Sequence, residues 1–342
     1  MRATLPGRHQ HRRTGEKTPR TQWQFRPGTL HQERLSGFPE INNEIAIGVE
    51  LHSDTAQADP RVAIVFWQIR LPRILAALVI GAALSAAGAA YQGMFRNPLV
   101  SPDILGVSAG AGMGACVAMW LGLPIVVVQL LAFVGGMLAV ALTCLIASMA
   151  KRHDPVLSLV LVGIAIGTLC GAVISLIKIL ADPYTQLPSI TFWLLGGLST
   201  ITHDDLYSSI PVLLLGMLPL LLLRWRMNLL SLPDDEAKTM GVNVKRLRLT
   251  FIICATLITA SAVSVAGIIG WIGLVVPHIC RLVTGDNYQR LFPASMLGGG
   301  LLLLLTDTLA RSLFTIELPL GILTALIGAP FFLMLLLRGG RG

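Results

Sequence analysis

Few side chains in this chain could make or break bonds, and their spacing points away from such chemistry. Cys116, Cys144, Cys170, Cys254 and Cys280 all lie in apolar segments, and none forms a CxxC pair. They read as small buried apolar residues, not as disulfides or ligands. His278 stands alone in the apolar run VVPHICRL, with no carboxylate or second imidazole at ligand spacing. A structural hydrogen bond near a span end is the expectation, and no metal site is expected. The chain has no GxxxxGK[ST] phosphate loop and no HExxH. Any ATP must therefore be bound by a partner, and the chain itself is read as no enzyme and as carrying no cofactor. Asp307 is a carboxylate inside an apolar run, and Arg311, four residues on, is its nearest candidate partner.

The elements that hold these residues are membrane spans. The 342 residues are 54% hydrophobic and 13% charged, against about 25% charged in a soluble domain. Residues 104–150 contain no Asp, Glu, Lys or Arg. Such runs read as spans, so the chain is an all-α polytopic membrane protein. About nine spans are predicted, near 74–95, 104–121, 124–149, 155–180, 206–223, 249–267, 268–283, 291–310 and 318–337. Residues 187–198 are too short to span and read as a small interfacial helix.

The long polar interval 224–248 carries Arg224, Arg226, Lys238, Lys245, Arg246 and Arg248. Positive loops are retained on the cytoplasmic side. Within it a short helix is expected, with Pro233 at its first position, Asp234, Asp235 and Glu236 facing the positive end of the dipole, and Gly241 at the stop. Such a helix suits contact with another protein, and equally a solvated connector. Arg96, Lys151, Arg152, Arg281, Arg290, Arg338 and Arg341 fall on the same side by alternation, and Arg311 on the other. The net charge of +8 is thus mostly topology, not nucleic-acid affinity.

Residues 1–62 differ from the rest. The first 36 hold eight Lys/Arg and two Glu, with no apolar run long enough for a signal core or a span. A largely disordered leader is expected. With nine spans and a cytoplasmic C-terminus this basic leader falls outside, against the same charge rule, as though one span were missing.

Five stretches are specific: IRLPR (69–73), MFRNPLVSPDILGVSAGAG (94–112), AGIIGWIGLVVPHICRL (266–282), LTDTLAR (305–311) and ELPLGILTALIGAPFF (317–332). Together they resemble the FecCD/BtuC-type permeases of binding-protein-dependent ABC importers, which take up iron–siderophores, haem and cobalamin. The resemblance covers about residues 64–338, the expected permease domain (63–338). It implies a homodimer of ten-span subunits in the bacterial inner membrane, with two cytoplasmic ATPase subunits binding ATP and an external binding protein delivering cargo. The first span of that family lies before the RLPR motif, where this chain has its polar leader; a misplaced start or frameshift upstream is the expectation.

The resemblance also implies roles. Asp235, Glu236, Ala237 and Gly241 match the ATPase-coupling loop. Arg70, Arg73 and Arg311 match outer arginines that dock carboxylates of the binding protein, a task that suits the planar guanidinium fork. Asn97, Pro98 and Leu99 match the cytoplasmic gate, with the 151–155 turn as a second candidate. Ser158, Gly163, Thr168, Ser175 and Thr324 are the candidates for lining the path. An iron–siderophore complex is the expected cargo, with haem, cobalamin, molybdate or tungstate as alternatives within the family. An ATP-independent carrier or intramembrane enzyme is the alternative from another class.

Overall fold

A computed structural model of the chain describes residues 63–149, 155–313 and 316–339. The leader and most of the 151–155 turn lie outside the described residues. The regular structure among the described residues is helical, joined by turns, with no strand among them. The helices are α1 (Leu71–Met94, entered through the π-helical turn Val65–Arg70), α2 (Val107–Trp120), α3 (Ile125–Met149), α4 (Pro155–Leu180) and α5 (Gln186–Leu194). They continue as α6 (His203–Leu222), α7 (Arg224–Leu230), α8 (Asp234–Thr239), α9 (Val244–Ala266), α10 (Ile272–Thr284), α11 (Tyr288–Ser312) and α12 (Leu320–Gly339). Among the described residues six helices are long and apolar enough to cross a membrane, and α2, α10 and α12 are shorter apolar helices.

Two helices form the centre. The most apolar windows of α1 and α9 are 72% buried, against 17% for α4. The sequence of α1, LPRILAALVIGAALSAAGAAYQGM, explains its place: small side chains on every face let neighbours approach it from all directions. It packs most extensively on α11, and also on α9, α10 and α6. Gly81 faces Gly299 of α11 with no room for a side chain on either, and Gly88 meets the backbone of Gly273 in α10 the same way. Gly88→Ala will therefore separate α1 from α10 at a cost of about 1–3 kcal/mol or more, the usual range for overpacking. Thermal unfolding in detergent should show a lowered midpoint, while Gly171→Ala, where a Cβ meets open space, should leave it unchanged.

The nine predicted spans all fall on helices, and the short segment predicted at 187–198 is α5. Three boundaries differ. The interval 224–230, read as part of a loop, is the helix α7. Residues 102–105 form a 3-10 turn, so α2 starts at Val107. The break between α9 and α10 runs from Gly267 to Trp271, not across Ala266-Gly267 alone. Gly267 and Trp271 both take positive φ, 69° and 70°. Ala266 is instead held by the N–H of Gly197, and the turn at 195–196 accepts bonds from Leu320 and Gly321. Tertiary contacts, not local propensity, open that break.

Candidate functional site

Two charged clusters sit at opposite ends of α1. Arg73 and Arg96 are separated by the helix, about 35 Å at 1.5 Å per residue.

At the Arg96 end lies the predicted short helix. α8 spans Asp234–Thr239, and Pro233 (φ −52°, ψ 143°) caps it from outside instead of filling its first turn. Gly241 ends it at φ 78°. Six residues are too few to hold a helix in isolation. Ala237 anchors α8, only 1% exposed. The Asp235 and Glu236 side chains point outward, Asp235 paired only with Lys238 at 2.9 Å. The helix thus presents an acidic face over a buried alanine.

Asp234 does something the sequence did not reveal. Its carboxylate accepts from Arg96 Nη2 at 2.6 Å and from Arg248 Nη2 at 3.1 Å. Partial burial pushes this carboxyl up, but Arg248 and then Arg96 more than offset that and hold it below the usual carboxylate range. A depressed carboxyl contributes stability above its unfolded value, near ~3.9, and loses it only as pH falls through the lower folded value. The pairing is therefore complete at neutral pH. Arg96 also donates its Nε–H to the Leu230 carbonyl at 3.0 Å. It leads into the exposed turn Asn97–Pro98–Leu99, where Asn97 Oδ1 accepts from the Leu99 N–H at 2.9 Å. A cavity of about 310 Å³ separates this turn from Asn228, Arg281, Asp286 and Tyr288. The hydrogen bond expected of His278 is not found among the described residues; the residue is half-buried on α10.

At the other end, Arg73 is buried, 7% exposed. Its Nε lies 2.9 Å from Asp307 Oδ1 and its Nη1 lies 3.0 Å from Glu317 Oε1. Asp307 is fully buried, and Arg311 Nε reaches it at 3.3 Å. The expected Asp307–Arg311 pair is present but secondary. Arg73, 234 positions away in sequence, is the stronger partner. The fork of Arg73 is filled from within the chain; Arg70 is half-buried, and the side chain of Arg311 is 31% exposed.

The residues named for a path divide. Thr168 and Ser175 lie seven apart on the open face of α4, their hydroxyls turned back to the carbonyls of Ile164 and Gly171. Ser158, Gly163 and Thr324 are packed inside the subunit, Gly163 against the backbone of Ile104 and Leu105. Ser158 and Gly163 do not line an open surface, because α4 turns that side onto the 3-10 turn at 102–105, and Thr324 on α12 is buried with its hydroxyl donating to the Gly321 carbonyl.

The expectation against an intramembrane enzyme takes G-x-S-x-G as missing, and the chain corrects it: Gly106-Val107-Ser108-Ala109-Gly110 fits the motif. A nucleophile elbow needs a strand, a sharp turn, a helix and a histidine. Here Ser108 lies in the first turn of α2 and its hydroxyl donates to Asp103, with no histidine bonded to it among the described residues. The motif therefore lacks the strand-turn-helix setting of a nucleophile elbow among the described residues.

Known proteins resemble this chain in sequence and fold. The model of the FecCD transport family matches residues 41–338. A relative named "Probable iron chelatin transport system permease protein" from Helicobacter pylori is 42% identical over 295 residues, covering 86% of this chain and 89% of the relative. The molybdate import system permease protein MolB of Haemophilus influenzae is 41% identical, covering 84% and 85%. A solved metal-chelate type ABC transporter in an inward-facing conformation superposes with a TM-score of 0.78 at 40% identity, covering 84% of this chain and 91% of that one.

Proposed function

The chain belongs to the FecCD transport family, and from that premise we propose that it is the subunit through which an importer passes an iron–siderophore complex. It is an ABC-importer permease and a multi-pass membrane protein. In our reading residues 63–338 form the permease domain and 224–248 its coupling loop, in a bacterial inner membrane. Two cytoplasmic ATPase subunits bind ATP and seat α8, through Asp235, Glu236, Ala237 and Gly241. A second copy packs so that the path runs between subunits, which would cover the sparsely buried α4 and give Thr168 and Ser175 a lumen. Asn97, Pro98 and Leu99 form the gate at the cytoplasmic end. A binding protein docks outside on Arg70 and Arg311. The observation that carries this reading is α8, an acidic surface helix anchored on buried Ala237 at one end of the bundle.

The choice of cargo rests on charge. Relatives named for iron chelatin and for molybdate are almost equally similar to this chain, so identity does not separate them. An oxyanion would need an uncommitted buried cation. Among the described residues the two buried arginines, Arg73 and Arg248, are both paired with carboxylates. The test is uptake into proteoliposomes holding the permease, the ATPase from its genomic neighbourhood and the matching binding protein. ATP-dependent accumulation of a labelled ferric siderophore, with none of molybdate, is expected. Molybdate uptake alone would replace the cargo, and uptake without ATP would replace the class.

A further inference from the structure

We propose that Arg96 and Asp234 form a latch that carries the movement of α8 directly to the turn Asn97–Leu99. The inference rests on the reading of α8 as the helix seated in the ATPase, and it adds a positioning residue on each side of that contact.

Four observations carry it. First, the two residues come from distant parts of the chain yet meet at 2.6 Å, joining the C-terminal end of α1 to the first residue of α8. Second, Arg96 is one of two non-glycine residues at positive φ among those described, at 51°. That conformation is strained and persists only where the surroundings over-determine it. Its own N–H bonds the Gly93 carbonyl, the next N–H bonds that of Gln92, and its side chain is fixed twice, on Leu230 and on Asp234. Third, the strained residue stands next to Asn97, so any shift of its guanidinium must be absorbed by the turn that begins there. Fourth, Asp234 is shared. Arg248 of α9 is buried, its Nη2 reaches the same carboxylate, and its Nε has no partner among the described residues. Asp234 can therefore trade one arginine for the other as α8 moves, without leaving a carboxylate bare. Half-exposed pairs of this kind add little to folding, so the link can break in each cycle without unfolding the bundle.

The test uses the full complex of permease, ATPase and binding protein in proteoliposomes, reading cargo imported per ATP hydrolysed. Arg96→Gln should still assemble with the ATPase and hydrolyse ATP within about twofold of the unaltered complex, while cargo per ATP falls about fivefold or more, the lower end of site-to-site coupling. Asp234→Asn should lower the same ratio, and Arg96→Lys, which keeps the charge, should recover much of it. Unchanged cargo per ATP in Arg96→Gln and Asp234→Asn overturns the latch. So does a parallel loss of hydrolysis and uptake, which would reduce the pair to a support for assembly. Absence of ATP-dependent uptake in the unaltered complex is a separate result, and it removes the importer reading together with the latch.

Discussion

Asp307→Ala will destabilise the bundle by about 3–5 kcal/mol, because it leaves a buried guanidinium without its closest counter-charge. Arg73 is 7% exposed and Asp307 is fully buried, so neither can turn to water when its partner goes. Glu317 remains beside Arg73, but its side chain is 45% exposed and its pull is screened. Arg73→Met will cost a similar amount for the mirror-image reason, with Arg311 at 3.3 Å as the only relief for Asp307. The double variant Arg73→Met/Asp307→Leu should recover most of the loss, since replacing both charges by apolar groups removes the desolvation cost along with the attraction. The check is a double-mutant cycle on the unfolding midpoint in detergent. Additive losses would mean that α1 and α11 are held here by packing alone.

Reversing Arg70 and Arg311 to glutamate will abolish stimulation of ATP hydrolysis by the binding protein. Arg311 also reaches the buried Asp307 at 3.3 Å, so its reversal loads the α1–α11 contact. The unfolding midpoint is measured alongside, and Arg70→Glu with Arg311→Gln, which adds no second carboxylate there, should show the same loss of stimulation with the fold kept. Arginine pairs bidentately with carboxylate, and contacts between exposed charges weaken with salt. Stimulation of the unaltered complex should therefore fall as ionic strength rises from low to about 0.5 M, while basal hydrolysis does not follow. Normal stimulation of the doubly reversed protein would place docking elsewhere on the outer surface. Reversing Arg73 as well would confuse the result, because it breaks the buried pair.

Much of this protein is determined by its sequence alone. Long uncharged runs cannot fold in water and have no choice but helix in lipid, where each backbone polar group must be satisfied within its own segment. The helices on which the predicted spans fall, the α5 segment and the acidic-start α8 were legible for that reason, since hydropathy, proline and glycine act locally. The five motif stretches carried the family in the same direct way. What the sequence could not decide is which distant side chains meet. Asp307 had a local candidate in Arg311, but the partner that fills its site comes from α1. Asp234 looked like one of three dipole-complementing acids, yet it alone is taken up by Arg96 and Arg248. Ser158 and Gly163 had the right types for a path, but the turn of α4 packs them inside while Thr168 and Ser175 stay open. The G-x-S-x-G match was erased by the helix it falls in. Helix formation follows from a window of neighbouring residues, so it is written along the chain. Ion pairs, buried faces and the break at Gly267–Trp271 follow from how helices cross, and close glycine contacts such as Gly81–Gly299 and Gly88–Gly273 fix those crossings only once the chain has folded.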